Sequence, residues 1–366
     1  MIHSIEIDGY RGFDRFEMNN LGLVNLLVGG NNNGKTSVLE AIYLLTSRGD
    51  PASIWQLLWR RGEHLPDDHR PREIQPEFDI CHLFTGHDLQ VGSKIILSSK
   101  NQTPKRTLEF EIAEPSESDR KNLARFQAPN RFPLVLHVKG SEVPPNSMIP
   151  ISRKGGVPVE FLSAPRMAHG RLIDDSDRAR YITTESLSSR ELVTMWDKIA
   201  LTPNESLVLK AIQFLDPNIE RIASQSISDY TGQTRGGFKI KLKGRDNPVP
   251  IGSMEDGMWR MLAMAIAVTQ SKGGVLLVDE IDTGLHYSVM SEMWKLLYNA
   301  AKEFGVQIFA TTHSSDCVHS FAKICTDGHD SKTSVTLHRI ESGKKKSIPY
   351  TEGEIKMASE RKIEVR

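Results

Sequence analysis

The sequence has few cysteines, no excess of either charge and no long apolar run, and each lack removes a class of protein. Three cysteines, Cys81, Cys317 and Cys325, are too few and too scattered for a disulfide framework. Cys317, His319, Cys325 and His329 lie close together, but their spacing matches no zinc pattern, and ordinary helix and loop explain them more simply. Lys plus Arg and Asp plus Glu each number 46, so no whole-chain attraction to nucleic acid or membrane follows, and any such surface must be a local patch. Apolar runs such as Val24 to Val28 and Val275 to Val278 fall far short of the ~20 residues a membrane helix needs. The amino-terminal MIHSIEIDGYRGF alternates apolar and polar residues and has neither the basic start nor the apolar centre of a signal peptide, so a cytoplasmic protein without membrane attachment is expected.

What is present suits a folded enzyme. With 366 residues, 39% hydrophobic and 25% charged, the chain can build one large α/β domain with a sizeable insertion, or two ordinary domains. Residues 2–8 and 23–28 read as strands, and Thr36 to Leu45 has helical spacing. The middle is rich in proline, charge and short alternating segments, among them Lys94 to Leu97, Thr107 to Ile112 and Leu134 to Val138. A strand-like Val157 to Leu162 follows, then a helical Arg190 to Phe214 and a strand at Gly237 to Leu242. Regularity returns with a helix over Asp256 to Thr269, a buried strand Gly274 to Val278, a helix Tyr287 to Phe304 and a strand Gln307 to Thr311. The expected division is 1–74 and 236–366 as two parts of one nucleotide-binding domain, whose ends form one sheet around an inserted β-rich and helical region at 75–235.

The octapeptide Gly29-Gly30-Asn31-Asn32-Asn33-Gly34-Lys35-Thr36 fits G-x-x-x-x-G-K-[ST] in full, between a strand and a helix. Its backbone N–H groups, through Gly29, Asn31, Asn32, Asn33 and Gly34 to Ser37 at the helix start, would surround a β-phosphate. Lys35 would neutralise the β/γ charge and Thr36 would ligate Mg²⁺. Far downstream, Val275 to Val278 runs into Asp279 and Glu280, which sets both carboxylates at the C-terminal edge of a parallel sheet, where ligands bind. Asp279 is then the residue for the Mg²⁺ shell, and Glu280 the one to polarise an attacking water. The strand Gln307 to Thr311 leads to Thr312-His313-Ser314. If it neighbours the Asp279 strand, His313 can reach a γ-phosphate.

In order, Gly9-Tyr10-Arg11-Gly12-Phe13, the Gly29 to Thr36 loop, Ser253-Met254-Glu255-Asp256-Gly257, Asp279-Glu280-Ile281-Asp282 and Thr312-His313-Ser314 resemble the successive motifs of ABC-type ATPases in the SMC/RecF branch. More closely they resemble the ATPase domains of the overcoming lysogenization defect (OLD) family and their stand-alone relatives. The match covers the two ends of the chain. The resemblance implies an α/β P-loop NTPase of ABC/SMC-like type, a mixed sheet with an inserted region, and hydrolysis of Mg-ATP held between two copies of the chain. It implies that Ser253 to Gly257 is the signature segment facing the partner's nucleotide, Asp282 the D-loop residue at the dimer interface, His313 the switch histidine, and Arg11 a basic residue near the nucleotide. The segment departs from Leu-Ser-Gly-Gly-Gln by placing Glu255 and Asp256 centrally, and a glutamine ligand is represented only by the candidates Gln56 and Gln90.

Fuller OLD proteins continue into a TOPRIM nuclease domain. Here the stretch after His313 is about the size of the smallest independent domain and carries no Asp-x-Asp after a strand, so a nuclease or other effector is expected as a separate chain. A role in bacterial defence against phage or foreign DNA follows from the resemblance. The alternatives are a RecF- or SMC-like DNA-binding repair ATPase and, less favoured, the nucleotide-binding subunit of a transporter. Among lesser features, Lys344 to Lys346 reads as a solvated hairpin tip and Trp55 with Trp59 as the buried face of a helix. His286 fits either the dimer interface or a helix start, and Arg166 either faces the nucleotide or has no role.

Overall fold

The computed structural model describes residues 1–65, 76–100, 105–124, 131–163, 167–168, 171–172, 179–184, 187–225, 237–325 and 335–365. The chain forms two compact bodies. One comprises Met1–Asn20, Asn32–Asp177 and Ile340–Ser347; the other comprises Leu21–Asn31, Arg178–Arg339 and Ile348–Arg366. In chain order the strands of the two large sheets are β1 (Ser4–Tyr10), β2 (Phe13–Asn19), β3 (Val24–Val28), β4 (Lys94–Ser99), β5 (Arg106–Ala113), β6 (Leu134–Gly140), β7 (Met148–Ile151), β8 (Arg180–Ile182), β9 (Val275–Val278), β10 (Gln307–Thr311), β11 (Val335–Arg339) and β12 (Ile348–Tyr350). The helices used below are α1 (Lys35–Thr46), α2 (Pro51–Arg61), α3 (Ser189–Asp197), α4 (Pro203–Gln213), α5 (Asp256–Gln270), α6 (Tyr287–Phe304) and α7 (Ser315–Ala322).

In the second body the sheet order is β8-β9-β10-β3-β11-β12, parallel from β8 to β11, with β12 antiparallel at one edge. Every residue of β3, β9 and β10 is buried, which is why these segments read as nearly unbroken apolar runs. The polar residue of β3 is Asn25. Its carbonyl oxygen accepts from the Gly22 N–H (2.7 Å) and the Thr336 hydroxyl (2.8 Å), and its amide donates to the carbonyls of Gly22 (2.9 Å) and Ile308 (3.0 Å). One satisfied polar group thus ties β3 to both neighbouring strands. Helix α5 is buried without a break from Gly257 to Thr269, as a helix apolar on all sides must be. Helix α6 ends on Gly305 in the left-handed conformation (φ 65°).

In the first body the sheet is antiparallel throughout, in the order β2-β1-β4-β5-β6-β7. The expectation that the two chain ends form one sheet holds for β3, which lies among the C-terminal strands β9 to β12, and is corrected for β1. Strands β4 to β7 continue the sheet begun by the N-terminal hairpin, with Ile7 paired to Leu97. The burial patterns explain the sorting. Strand β1 alternates between buried and part-exposed positions, as an antiparallel strand does, whereas β3 is buried on both faces and suits a parallel neighbour.

Three local readings also change. The helical stretch Arg190 to Phe214 is two helices, α3 and α4, parted at Leu201 (φ 65°) and Pro203, the first residue of α4. Val157 to Leu162 is the end of a short strand, Gly156–Pro158, followed by a helical turn, Val159–Ser163. Helix α2 buries Ile54, Leu57 and Leu58 and leaves Trp59 64% exposed, because these aliphatic residues already supply its apolar stripe. Among the described residues no helix is long and apolar enough to cross a membrane.

Candidate nucleotide site

Strand β3 delivers the chain to the P-loop, and the backbone there takes conformations that side chains resist. Gly29 (φ 143°), Asn32 (φ 61°) and Gly34 (φ 88°) all have positive φ. At Gly34 a second constraint applies: a Cβ would lie 2.4 Å from the ring of Phe13. Helix α1 starts at Lys35, its first internal bond running from the Val38 N–H to the Gly34 carbonyl (2.9 Å). Its first turn carries no acidic residue, so the positive end of the helix dipole is left for an anion. The Lys35 side chain is 5% exposed, Ser37 is buried and Thr36 is half-buried. The Asn33 amide donates to the Ile340 carbonyl (3.1 Å), which pins the loop from one side. Within the first body a cleft of about 500 Å³ is lined by Asn32, Asn33, Gly34 and Ser37, together with Phe13 and Lys344.

In the second body, Val278 of β9 lies level with Ala310 of β10, and Ala310 with Leu26 of β3. Parallel strands in that register bring Asp279, Thr312 and Gly29 to one edge of the sheet. Sequence order alone could not guarantee that juxtaposition. At this edge the Thr311 hydroxyl donates to Asp279 Oδ1 (2.6 Å) and accepts from the Glu280 N–H (2.8 Å), so one side chain orients both acids. Glu280 has φ 45°, a left-handed conformation unusual for a residue with a Cβ. Arg260, on α5, holds it there. Its guanidinium donates to the carbonyls of Asp279 (2.6 Å), Glu280 (3.0 Å) and Thr183. Burial draws the Arg260 guanidinium down to about 10, opposed by Asp279, Asp282 and Glu280, so it stays charged at neutral pH.

The remaining predicted residues gather around the same edge. Thr312 donates to Asp282 Oδ1 (2.6 Å), and half-buried His313 follows, before Ser314 caps α7 by accepting from the Cys317 N–H (3.2 Å). Gly257 packs against the turn after Asp282, where a Cβ would approach the Gly284 carbonyl to 2.7 Å. The signature-like segment and the D-loop-like segment are therefore neighbours, with Ser253, Glu255 and Asp256 exposed.

Arg11 is 6% exposed and borders the cleft, but its guanidinium is occupied. Nη1 and Nη2 donate to Glu63 (2.6 and 3.1 Å), and Nε lies 2.7 Å from Glu40. Glu40 also accepts from the Tyr10 hydroxyl (3.1 Å) and Arg61 (2.6 Å). This buried network gives Arg11 a structural use that the sequence reading did not foresee. Gln56 accepts from the Tyr43 hydroxyl, and Gln90 donates to Asp88 (2.7 Å). His286 caps α6 by accepting from the Ser288 N–H. Arg166 and His329 lie outside the described residues.

Sequence reasoning missed Thr311 and Arg260. Thr311 read only as the end of a strand, and Arg260 as one polar residue on an otherwise apolar helix, which in hindsight is its signal.

A glycine-shaped phosphate loop leaving a parallel strand, with acids ending the strand two places away in the same sheet, defines a P-loop nucleoside triphosphatase. The chain belongs to the family described as "AAA domain, putative AbiEii toxin, Type IV TA system", whose sequence model matches residues 24–316. It is 22% identical over 335 residues to the "ATP/GTP phosphatase" of Helicobacter pylori (strain ATCC 700392 / 26695), covering 87% of this chain and 86% of that protein. The protein is thus an ATP-binding, ATP-hydrolysing enzyme with an AAA-type domain. Among solved structures it is similar to the SMC head domain from Thermotoga maritima (TM-score 0.45, 12% identity, 96% of this chain and 98% of that one). It is also similar to the Smc head domain with an extended coiled coil bound to the C-terminal domain of ScpA from Pyrococcus furiosus (TM-score 0.48, 12% identity, 99% of each chain).

Proposed function

We propose that the protein is an ATP-driven dimeric switch related to the OLD ATPases. The observation that carries this reading is the shared sheet edge at which Asp279, Glu280, His313 and the start of the P-loop all emerge. The loop N–H groups from Gly29 to Gly34 and the start of α1 cradle the β-phosphate, and Lys35 offsets its charge. The Thr36 hydroxyl and the Asp279 carboxylate are hard oxygen donors of the kind Mg²⁺ takes, and these two residues would hold it. Bound there, Mg²⁺ supplies charge neutralisation to the β- and γ-phosphates. Glu280 orients the attacking water and accepts its proton, while the Arg260 and Thr311 contacts fix where its carboxylate starts. His313 reads the γ-phosphate, and Thr312 links that reading to Asp282.

The Ser253 to Gly257 segment, exposed at Ser253, Glu255 and Asp256, serves the nucleotide of a second copy, and the contact of its buried Gly257 with the turn after Asp282 couples signature and D-loop in one protomer. With Glu255 and Asp256 exposed in that segment, approach to a partner's phosphates requires both acids to turn aside. The OLD-like order of motifs supports a role in defence against phage or foreign DNA, with a separately encoded nuclease or other effector. The family's description as part of a toxin–antitoxin system fits such a two-component arrangement.

The dependence of ATPase rate on protein concentration tests the dimer. Specific activity should rise with concentration and then saturate; a flat profile extending below any measurable association contradicts shared sites. Affinity capture of the native complex, combined with a phage challenge of a deletion strain, tests the defence role. An absent effector together with unchanged phage sensitivity would rule that role out.

A further inference from the structure

A second cluster of metal-ligating side chains stands apart from the P-loop chemistry, in the first body. Asp79 ends the short strand Glu77–Asp79, and Cys81 and His82 follow in the single helical turn Cys81–Leu83. One ligand atom from each of the three residues lies within 4.8 Å of the others. The turn is held firmly. The Cys81 N–H donates to Asp79 Oδ1 (2.9 Å), Leu83 is buried, and the Leu83 and His82 carbonyls accept from Arg11 (2.8 and 3.3 Å).

The separations distinguish ligation from plain hydrogen bonding. His82 Nε2 and Asp79 Oδ2 are 3.6 Å apart, too long for a good hydrogen bond. Two N/O donors each about 2.1 Å from one tetrahedral ion are separated by about 3.4 Å, close to that spacing. On the other side of the ring, His82 Nδ1 meets His87 Nδ1 at 3.2 Å. Only one of those nitrogens can accept. If His82 Nδ1–H donates to His87, the lone pair of His82 Nε2 faces Asp79. An outer hydrogen bond of this sort is what normally fixes the tautomer of a metal-bound histidine. His87 is itself set in place by its N–H bond to the Phe84 carbonyl (3.1 Å).

We propose that Asp79, Cys81 and His82 form a three-ligand site for a zinc-type divalent cation, with His87 as the positioning residue that orients His82 and a fourth coordination place left open. Sulfur, imidazole and carboxylate together suit zinc or cobalt and do not suit magnesium. Ligation is by the thiolate, so binding expels the thiol proton, giving one metal–thiolate bond and one proton released to solvent. His82 and His87 also border the 500 Å³ cleft, which offers the ion a route in.

Cobalt(II) added to metal-free full-length protein tests the site. The expected result is one equivalent bound, with thiolate-to-cobalt absorption in the near ultraviolet. That band should vanish in Cys81→Ala, persist in Lys35→Ala and in Cys317→Ser/Cys325→Ser, and need roughly 10- to 100-fold more cobalt in His87→Leu. Proton release on binding should accompany the band. If Cys81→Ala does not fold, His82→Gln carries the same comparison. No band in the wild type, or a band unchanged in Cys81→Ala or His82→Gln, overturns the proposal.

Discussion

The P-loop and the carboxylate edge both terminate buried strands, yet they prepare for charge in opposite ways. At the P-loop, side chains are kept back: Gly29 and Gly34 hold positive φ, Phe13 fills the space beside Gly34, and the first turn of α1 carries no acid. Recognition is left to backbone N–H groups and one lysine. At the carboxylate edge the side chains themselves carry the chemistry, and each is held by another: Thr311 holds Asp279, and Arg260 holds the peptide that presents Glu280. A backbone-made site depends on conformation, so few substitutions matter but those few are severe. A side-chain site grades its losses according to how directly each group meets the reacting atoms.

That contrast can be broken or sharpened in steps of decreasing effect. Lys35→Ala should bring turnover below detection by weakening nucleotide binding, measured as lost affinity for a fluorescent ATP analogue. Glu280→Gln should lower kcat by roughly 10²- to 10⁴-fold while leaving nucleotide affinity within a fewfold of wild type, the signature of a lost base. Arg260→Met leaves buried carbonyls at Asp279 and Glu280 without their donor, each such loss costing ~1–3 kcal/mol. It should lower Tm by several degrees and reduce kcat, and an unchanged kcat in a folded variant would remove Arg260 from the positioning of Glu280. Thr311→Val keeps the shape and deletes one hydroxyl, so a loss of about 1 kcal/mol with a smaller fall in kcat is expected, read from denaturant melts and steady-state rates.

The smallest effect lies in the core, on the strand beside β3. His338 on β11 is fully buried, and burial lowers its pKa from 6.5 to about 4. Below pH 6.5 the unfolded chain takes up a proton that the folded chain refuses, so stability should fall as pH drops from about 6.5 towards 4. His338→Leu should flatten that part of the Tm-against-pH curve.

How much was legible in the sequence followed from where the information is local. The octapeptide from Gly29 to Thr36, the run into Asp279 and Glu280, and helix α6 are written in contiguous residues whose periods and punctuation have one reading. The neighbouring of β9 and β10 was suggested by the order of the motifs, and the register of the two strands supplies it. The sheet that joins Ile7 to Leu97 was not, since antiparallel alternation says that a strand has two unlike faces and nothing about which strand it meets. For the same reason the strand at residues 2–8 was expected in one sheet with the C-terminal strands, and the partner strand Phe13–Asn19 was not read at all. Arg11 shows the limit at a single residue. It reads as a basic residue near the nucleotide, and that Glu40 and Glu63, distant in sequence, also hold its guanidinium is visible only in the fold.

The most direct test of the account is the oligomeric mass of Glu280→Gln in saturating Mg-ATP, measured beside its turnover. The account predicts a stable dimer retaining uncleaved ATP and returning to monomers when ATP is withdrawn. A monomer that hydrolyses ATP at the wild-type rate would contradict it, leaving the P-loop as a nucleotide site but removing Glu280 and the shared interface from the mechanism.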